Sequence, residues 1–190
     1  MNLANKLTLL RVVIVPFFVL FMCFGAIPLN YFWALFLFGA ASFTDMFDGK
    51  VARKYDMVTD FGKFLDPLAD KILVAAALVC FTELGWTASW VTIIILVREF
   101  AVSGVRLIAA GSDKKVVIPA NIWGKVKTAA TMGGIAAILA MRIFSDNLGL
   151  IPALPVQIIG DVLMYIAALL TVISGVKYLY DYREFIDPTK

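Results

Sequence analysis

The chain has 190 residues, 62% of them hydrophobic, with a mean hydropathy of +0.90 and a formal net charge of +3. A soluble domain is about half apolar, so this composition excludes an ordinary water-soluble globule and reads as a membrane protein whose long apolar runs are spans. The basic residues gather on one side, which suits anionic headgroups or a phosphorylated substrate. No feature points to nucleic acid.

Six segments each reach the roughly 20 residues needed to cross hydrocarbon as helix. They lie near 7–25, 30–52, 62–84, 87–110, 121–144 and 155–180. Their lengths, without strict alternation, predict an all-α integral membrane fold of six transmembrane helices and exclude a barrel. The first run holds Pro16 and lacks a small-residue cleavage site, so it reads as a span and not a removed leader. Breaks fall at Gly25 to Asn30 with Pro28, at Gly85, from Gly111 to Pro119, and from Gly149 to Pro155.

Positive charge orients these spans. Lys6 and Arg11, then Lys50, Arg53 and Lys54, then Lys114, Lys115, Lys125 and Lys127, and finally Lys177, Arg183 and Lys190 share one side. The opposite connections hold only Arg142. Both termini are therefore expected in the cytoplasm. Cys23 and Cys80 lie inside spans without thiol-rich spacing, which argues against a disulfide or a zinc site. With no clear repeat, residues 1–190 read as one domain.

Between the second and third spans, residues 45–70 hold six of the fourteen acidic residues. Carboxylates at a membrane edge are costly and mark a site with partners. At about 100° per residue, Asp45, Asp48, Gly49 and Ala52 fall within about 100° of arc. Gly62, Asp66 and Asp70 fall within about 80° on the next helix. Two helices joined by a short loop are expected to be antiparallel neighbours. Four carboxylates then converge in a polar cavity open to the cytoplasm. All-oxygen donors suit Mg²⁺, Mn²⁺ or Ca²⁺ and not zinc. Two ions about 4 Å apart would suit displacement at phosphorus. The bland alternative is interfacial pairing with Lys50, Arg53, Lys63 and Lys71. Asp56 reads as loop and Asp60 as a helix N-cap, with Thr59 the alternative.

The pattern D-x2-D-G-x2-A-R-x8-G-x3-D-x3-D stands here as Asp45, Asp48, Gly49, Ala52, Arg53, Gly62, Asp66 and Asp70. It resembles the signature of the CDP-alcohol phosphotransferases, integral membrane enzymes of phospholipid synthesis. The stretches NLANKLTLLRVVIVPFFV, KFLDPLADKILV, REFAVSGVRL and WGKVKTAATM resemble bacterial members whose acceptor is glycerol 3-phosphate. The similarity covers most of residues 2–135, while the last span reads as generic membrane helix.

The resemblance implies that the 1-hydroxyl of sn-glycerol 3-phosphate attacks the β-phosphorus of CDP-diacylglycerol, releasing CMP and forming phosphatidylglycerophosphate. It implies two Mg²⁺ or Mn²⁺ ions on Asp45, Asp48, Asp66 and Asp70, with Asp70 also the general base. Gly49, Ala52, Arg53 and Gly62 match nucleotide-binding positions, and Asn5 and Thr8, with Arg11, belong to the opening block. A homodimer in the bacterial inner membrane, with the site facing the cytoplasm, is implied as well.

The dianionic acceptor needs cations, and Arg98, Arg106, Lys125 and Lys127 form the pool. Glu99 and Arg106, seven residues apart, fit a structural ion pair that leaves Arg98 for the phosphate. Lys125 and Lys127 lie about 200° apart on a helix, so at least one snorkels. Arg142 and Asp146 read as outer-interface anchors, and Trp86, Trp90 and Tyr31 as an aromatic belt. Two rival readings stay open. One is a sister enzyme using serine, inositol phosphate or phosphatidylglycerol. The other is a divalent-cation transporter, against which the clustering of carboxylates at one end counts.

Overall fold

The structure is a computed structural model that describes residues 3–55, 60–111 and 122–181, with side chains over 9–44, 71–105 and 122–181. Its helices are α1 (Leu3–Cys23), α2 (Asn30–Tyr55), α3 (Asp60–Glu83), α4 (Ser89–Gly111), α5 (Ile122–Arg142) and α6 (Ala153–Asp181). A π-helical turn, Ile143–Asn147, follows α5 directly. No strand occurs among the described residues. Each expected segment coincides with one helix to within a few residues, because apolar run length and glycine–proline breaks are local signals.

By length and composition alone, Ile122–Asn147 and Ala153–Asp181 are the described stretches that suffice to cross a membrane, and Leu9–Cys23 is a shorter apolar helix. Their surface supports the same reading. Leu154, Leu169, Val176 and Tyr180 on α6, and Val97 and Phe100 on α4, are each more than half exposed. Water penalises apolar patches of this extent, whereas lipid does not.

α1 is the common neighbour of α2 and α3, and the described parts of α2 and α3 touch only slightly. The expected side-by-side pairing of α2 and α3 is therefore not the main contact among the described residues. On the other side, α6 packs along both α4 and α5. Phe18, Phe38, Leu78, Phe81, Ile135 and Met164 fill the shared interior. Gly134 lets α5 and α6 approach closely, since a Cβ there would lie 2.5 Å from the Met164 methyl.

α3 ends as its sequence predicts. Gly85 adopts φ +70°, Trp86 N–H donates to Phe81 O at 2.8 Å, and Gly85 N–H donates to Thr82 O at 3.1 Å. This Schellman arrangement satisfies the last carbonyls of α3 and turns the chain into α4.

Candidate active site

The acidic motif lies on the two helices that its register requires. Asp45, Asp48, Gly49, Ala52 and Arg53 belong to α2, and Gly62, Asp66 and Asp70 to α3. Their side chains lie outside those described, as do those of Asn5, Thr8 and Arg106. Among the described residues no group of three or more ligating side chains forms a metal centre. The donor set itself, four carboxylates and no His in the chain, fits a hard divalent ion.

Next to this motif the described side chains enclose a cavity of about 250 Å³. Ser42 of α2 and Lys71 of α3 line it, as do Arg11 of α1, Glu99 of α4, and Lys127 and Thr131 of α5. Ser42 stands three residues before Asp45, and Lys71 directly follows Asp70. The cavity therefore adjoins the motif on both helices. It is smaller than the ~300–1,000 Å³ sites of drug-sized ligands and suits a small polar molecule.

Its charges are organised around Glu99. Lys127 Nζ is ion-paired with the Glu99 carboxylate, and Arg98 Nη1 lies 4.0 Å from the same oxygen. Lys71 Nζ donates to the Glu99 main-chain carbonyl at 3.3 Å, which also accepts from Ser103 Oγ at 2.7 Å. Lys127 is only 3% exposed, and Arg11 is equally buried. Such cations in a largely apolar bundle require anionic company. Glu99 is the one carboxylate among the described lining residues, facing three lining cations with Arg98 beside it. Three cationic side chains on one cavity wall suit a site that receives an anion.

Glu99 thus takes Lys127 of α5; the Arg106 side chain, which the sequence offered as its partner, lies outside those described. A signal was available: two lysines about 200° apart on a helix cannot share one face. Lys127 is buried, while Lys125 is exposed. Lys71, which the bland alternative pairs with the motif carboxylates, stands in the cavity wall. Cys23 and Cys80 are both free thiols.

A second polar cluster closes the other end of the bundle. Arg142, expected as an outer-interface anchor, is 7% exposed and held by neighbouring side chains. Its guanidinium lies 4.5 Å from the centre of the Trp86 ring, donates to Asp146 at 3.3 Å and donates to Gln157 Oε1 at 2.5 Å. Gln157 Nε2 donates in turn to the Gly85 and Trp86 carbonyls at 3.3 and 3.4 Å. Asn147 donates to Asn30 Oδ1 at 2.8 Å, and Asn30 to Phe21 O at 3.1 Å.

Apolar outer faces, helices throughout the described residues and a carboxylate motif beside a cationic cavity fit a membrane protein with a polar site. Residues 1–173 match the family described as CDP-alcohol phosphatidyltransferase. The chain belongs to that family.

Three relatives that share one name illustrate the likeness. The CDP-diacylglycerol--glycerol-3-phosphate 3-phosphatidyltransferase of Bacillus subtilis is 38% identical over 192 residues, covering 93% of each chain. The protein of the same name from Rickettsia bellii is 37% identical over 184 residues, covering 97% of each. That from Yersinia enterocolitica is 37% identical over 198 residues, covering 99% of each. The likeness runs well past residue 135 and takes in most of α6, which sequence reading had left as generic helix.

Proposed function

We propose that this chain transfers the phosphatidyl group of CDP-diacylglycerol to sn-glycerol 3-phosphate, giving phosphatidylglycerophosphate and CMP. The observation that carries this reading is the cationic cavity within one turn of the acidic motif on both α2 and α3. The names of the relatives support the choice of substrates.

In this reading residues 1–190 act as one domain of six spans. Both termini, the motif and the cavity face the cytoplasm of a bacterial inner membrane, as the lysine and arginine bias suggests. The acyl tails of the donor enter sideways from lipid, and the protein works as a homodimer. Asp45, Asp48, Asp66 and Asp70 would hold two ions, Mg²⁺ or Mn²⁺, which when bound neutralise charge on the donor pyrophosphate. Gly49, Ala52 and Gly62 leave room for the cytidine, and Arg53, with Asn5 and Thr8, holds the nucleotide side.

Lys127, Arg98, Lys71 and Arg11 attract the acceptor phosphate, and Arg106 and Lys125 complete the basic surroundings. Asp70 takes the proton of the acceptor 1-hydroxyl. The new O–P bond forms at the β-phosphorus as the bond to the CMP oxygen breaks, and CMP departs with those electrons. Seating the acceptor phosphate in a fixed cavity orients the hydroxyl and lowers the entropic part of the barrier.

The test supplies CDP-diacylglycerol and Mg²⁺ or Mn²⁺ to purified protein and offers glycerol 3-phosphate, serine, inositol 1-phosphate and phosphatidylglycerol separately. CMP release with lipid product is expected only with glycerol 3-phosphate. Release with another acceptor instead would overturn the acceptor assignment and leave the donor chemistry.

A further inference from the structure

Arg98 reaches the Glu99 cluster along a path that two glycines leave open. A Cβ built on Gly175 of α6 would lie 2.9 Å from Arg98 Cγ and 3.8 Å from its Nε. A Cβ built on Gly124 of α5 would lie 4.0 Å from a terminal guanidinium nitrogen. The first distance is well inside the roughly 3.5–4.0 Å at which carbon atoms rest, and the second is ordinary contact. The blocked atom at Gly175 is the middle of the side chain, so the guanidinium cannot relieve the clash by turning its tip.

The surroundings explain why the path matters. The stem of Arg98 lies in an apolar groove of about 340 Å³ between α4 and α6, beside Val102, Val172 and Gly175. The groove offers the charge no counterpart, because apart from Arg98 its lining is apolar or glycine. The head leaves it toward α5, where it approaches the Glu99 carboxylate. Gly175 is itself buried, so a methyl there has no outward escape.

We propose that Gly175 is a positioning residue for the acceptor site. By leaving the space beside the Arg98 stem empty, α6 aims the guanidinium at the phosphate position. This rests on the reading that Arg98 serves the acceptor phosphate. It assigns a role to α6 two residues beyond the part that matches the family.

The experiment measures KM and kcat for glycerol 3-phosphate with the purified full chain and its Arg98→Ala, Gly175→Ala, Gly124→Ala and Gly175→Ala/Arg98→Ala variants. Gly175→Ala should raise KM about ten-fold with kcat held within about two-fold, the split expected when ground-state and transition-state binding weaken together. Gly124→Ala should change KM less than about two-fold. Alanine favours helix over glycine at both positions, so propensity does not explain the contrast. In the Arg98→Ala background, Gly175→Ala should add nothing, because its effect travels through that side chain.

If Arg98→Ala leaves KM unchanged, the acceptor reading of Arg98 fails and the inference falls with it. If Arg98→Ala raises KM but Gly175→Ala does not, or acts equally in both backgrounds, the inference alone is overturned. Should Gly175→Ala not fold, Arg98→Ala in the same chain should restore the fold. A double variant that stays unfolded refutes the clash.

Discussion

The two polar clusters sit at opposite ends of α5, about 22 Å apart by helix rise over Lys127 to Arg142. Around Arg142 the fold itself supplies the partners. The guanidinium takes Asp146, Gln157 and the Trp86 face, and Gln157 ties back to the α3–α4 turn. Around Glu99 cationic side chains from several helices line a cavity. Buried polarity in a membrane bundle therefore has two physical meanings. A network that joins helix ends fastens them together, whereas one that lines a cavity is prepared for a ligand.

That contrast breaks most sharply at the motif next to the cavity-lining cluster. Asp70→Asn is expected to lower kcat by roughly 10³-fold, the scale of losing a general base and more, while the protein still inserts and melts normally. Normal turnover by this variant would remove Asp70 as base. Lys127→Ala should come next, with KM for glycerol 3-phosphate rising about 30-fold, or about 2 kcal/mol of lost acceptor binding. Acceptor titrations check this, and an unchanged KM would make the Lys127–Glu99 pair purely structural.

What the sequence disclosed divides along the same line. Helix limits were readable because apolar length and breaks such as Gly85 act locally. The motif was readable because spacing on one helix fixes register, as between Asp66 and Asp70. Contacts between distant segments were not. Glu99 takes Lys127, a partner on another helix that only the packing of the bundle supplies. Arg142 read as an anchor because Trp86, which covers it, belongs to a turn far away in the chain. Gly175 carried no signal at all, since its meaning lies in the path of a side chain from another helix.

The closed cluster should respond in stability and not in chemistry. Arg142→Ala removes the cation shared by Asp146, Gln157 and Trp86 and leaves a carboxylate without its partner. A loss of about 3 kcal/mol is expected, read as a lowered melting temperature in detergent. KM for glycerol 3-phosphate should stay at the wild-type value. A raised KM with unchanged melting would erase the distinction between the two ends.

Lys125 provides the smallest effect and the finest test. It stands two residues from Lys127 on α5 and carries the same charge, so any model based on net positive charge near the site treats the two alike. The structure separates them, because Lys125 is exposed and Lys127 is almost fully buried against Glu99. An exposed charge is screened over about 10 Å at 0.1 M salt. Lys125→Ala should therefore change KM by less than about two-fold at that ionic strength, with a modest rise only at low salt. Equal losses from Lys125→Ala and Lys127→Ala would mean that a diffuse field, and not the built cavity, gathers the acceptor.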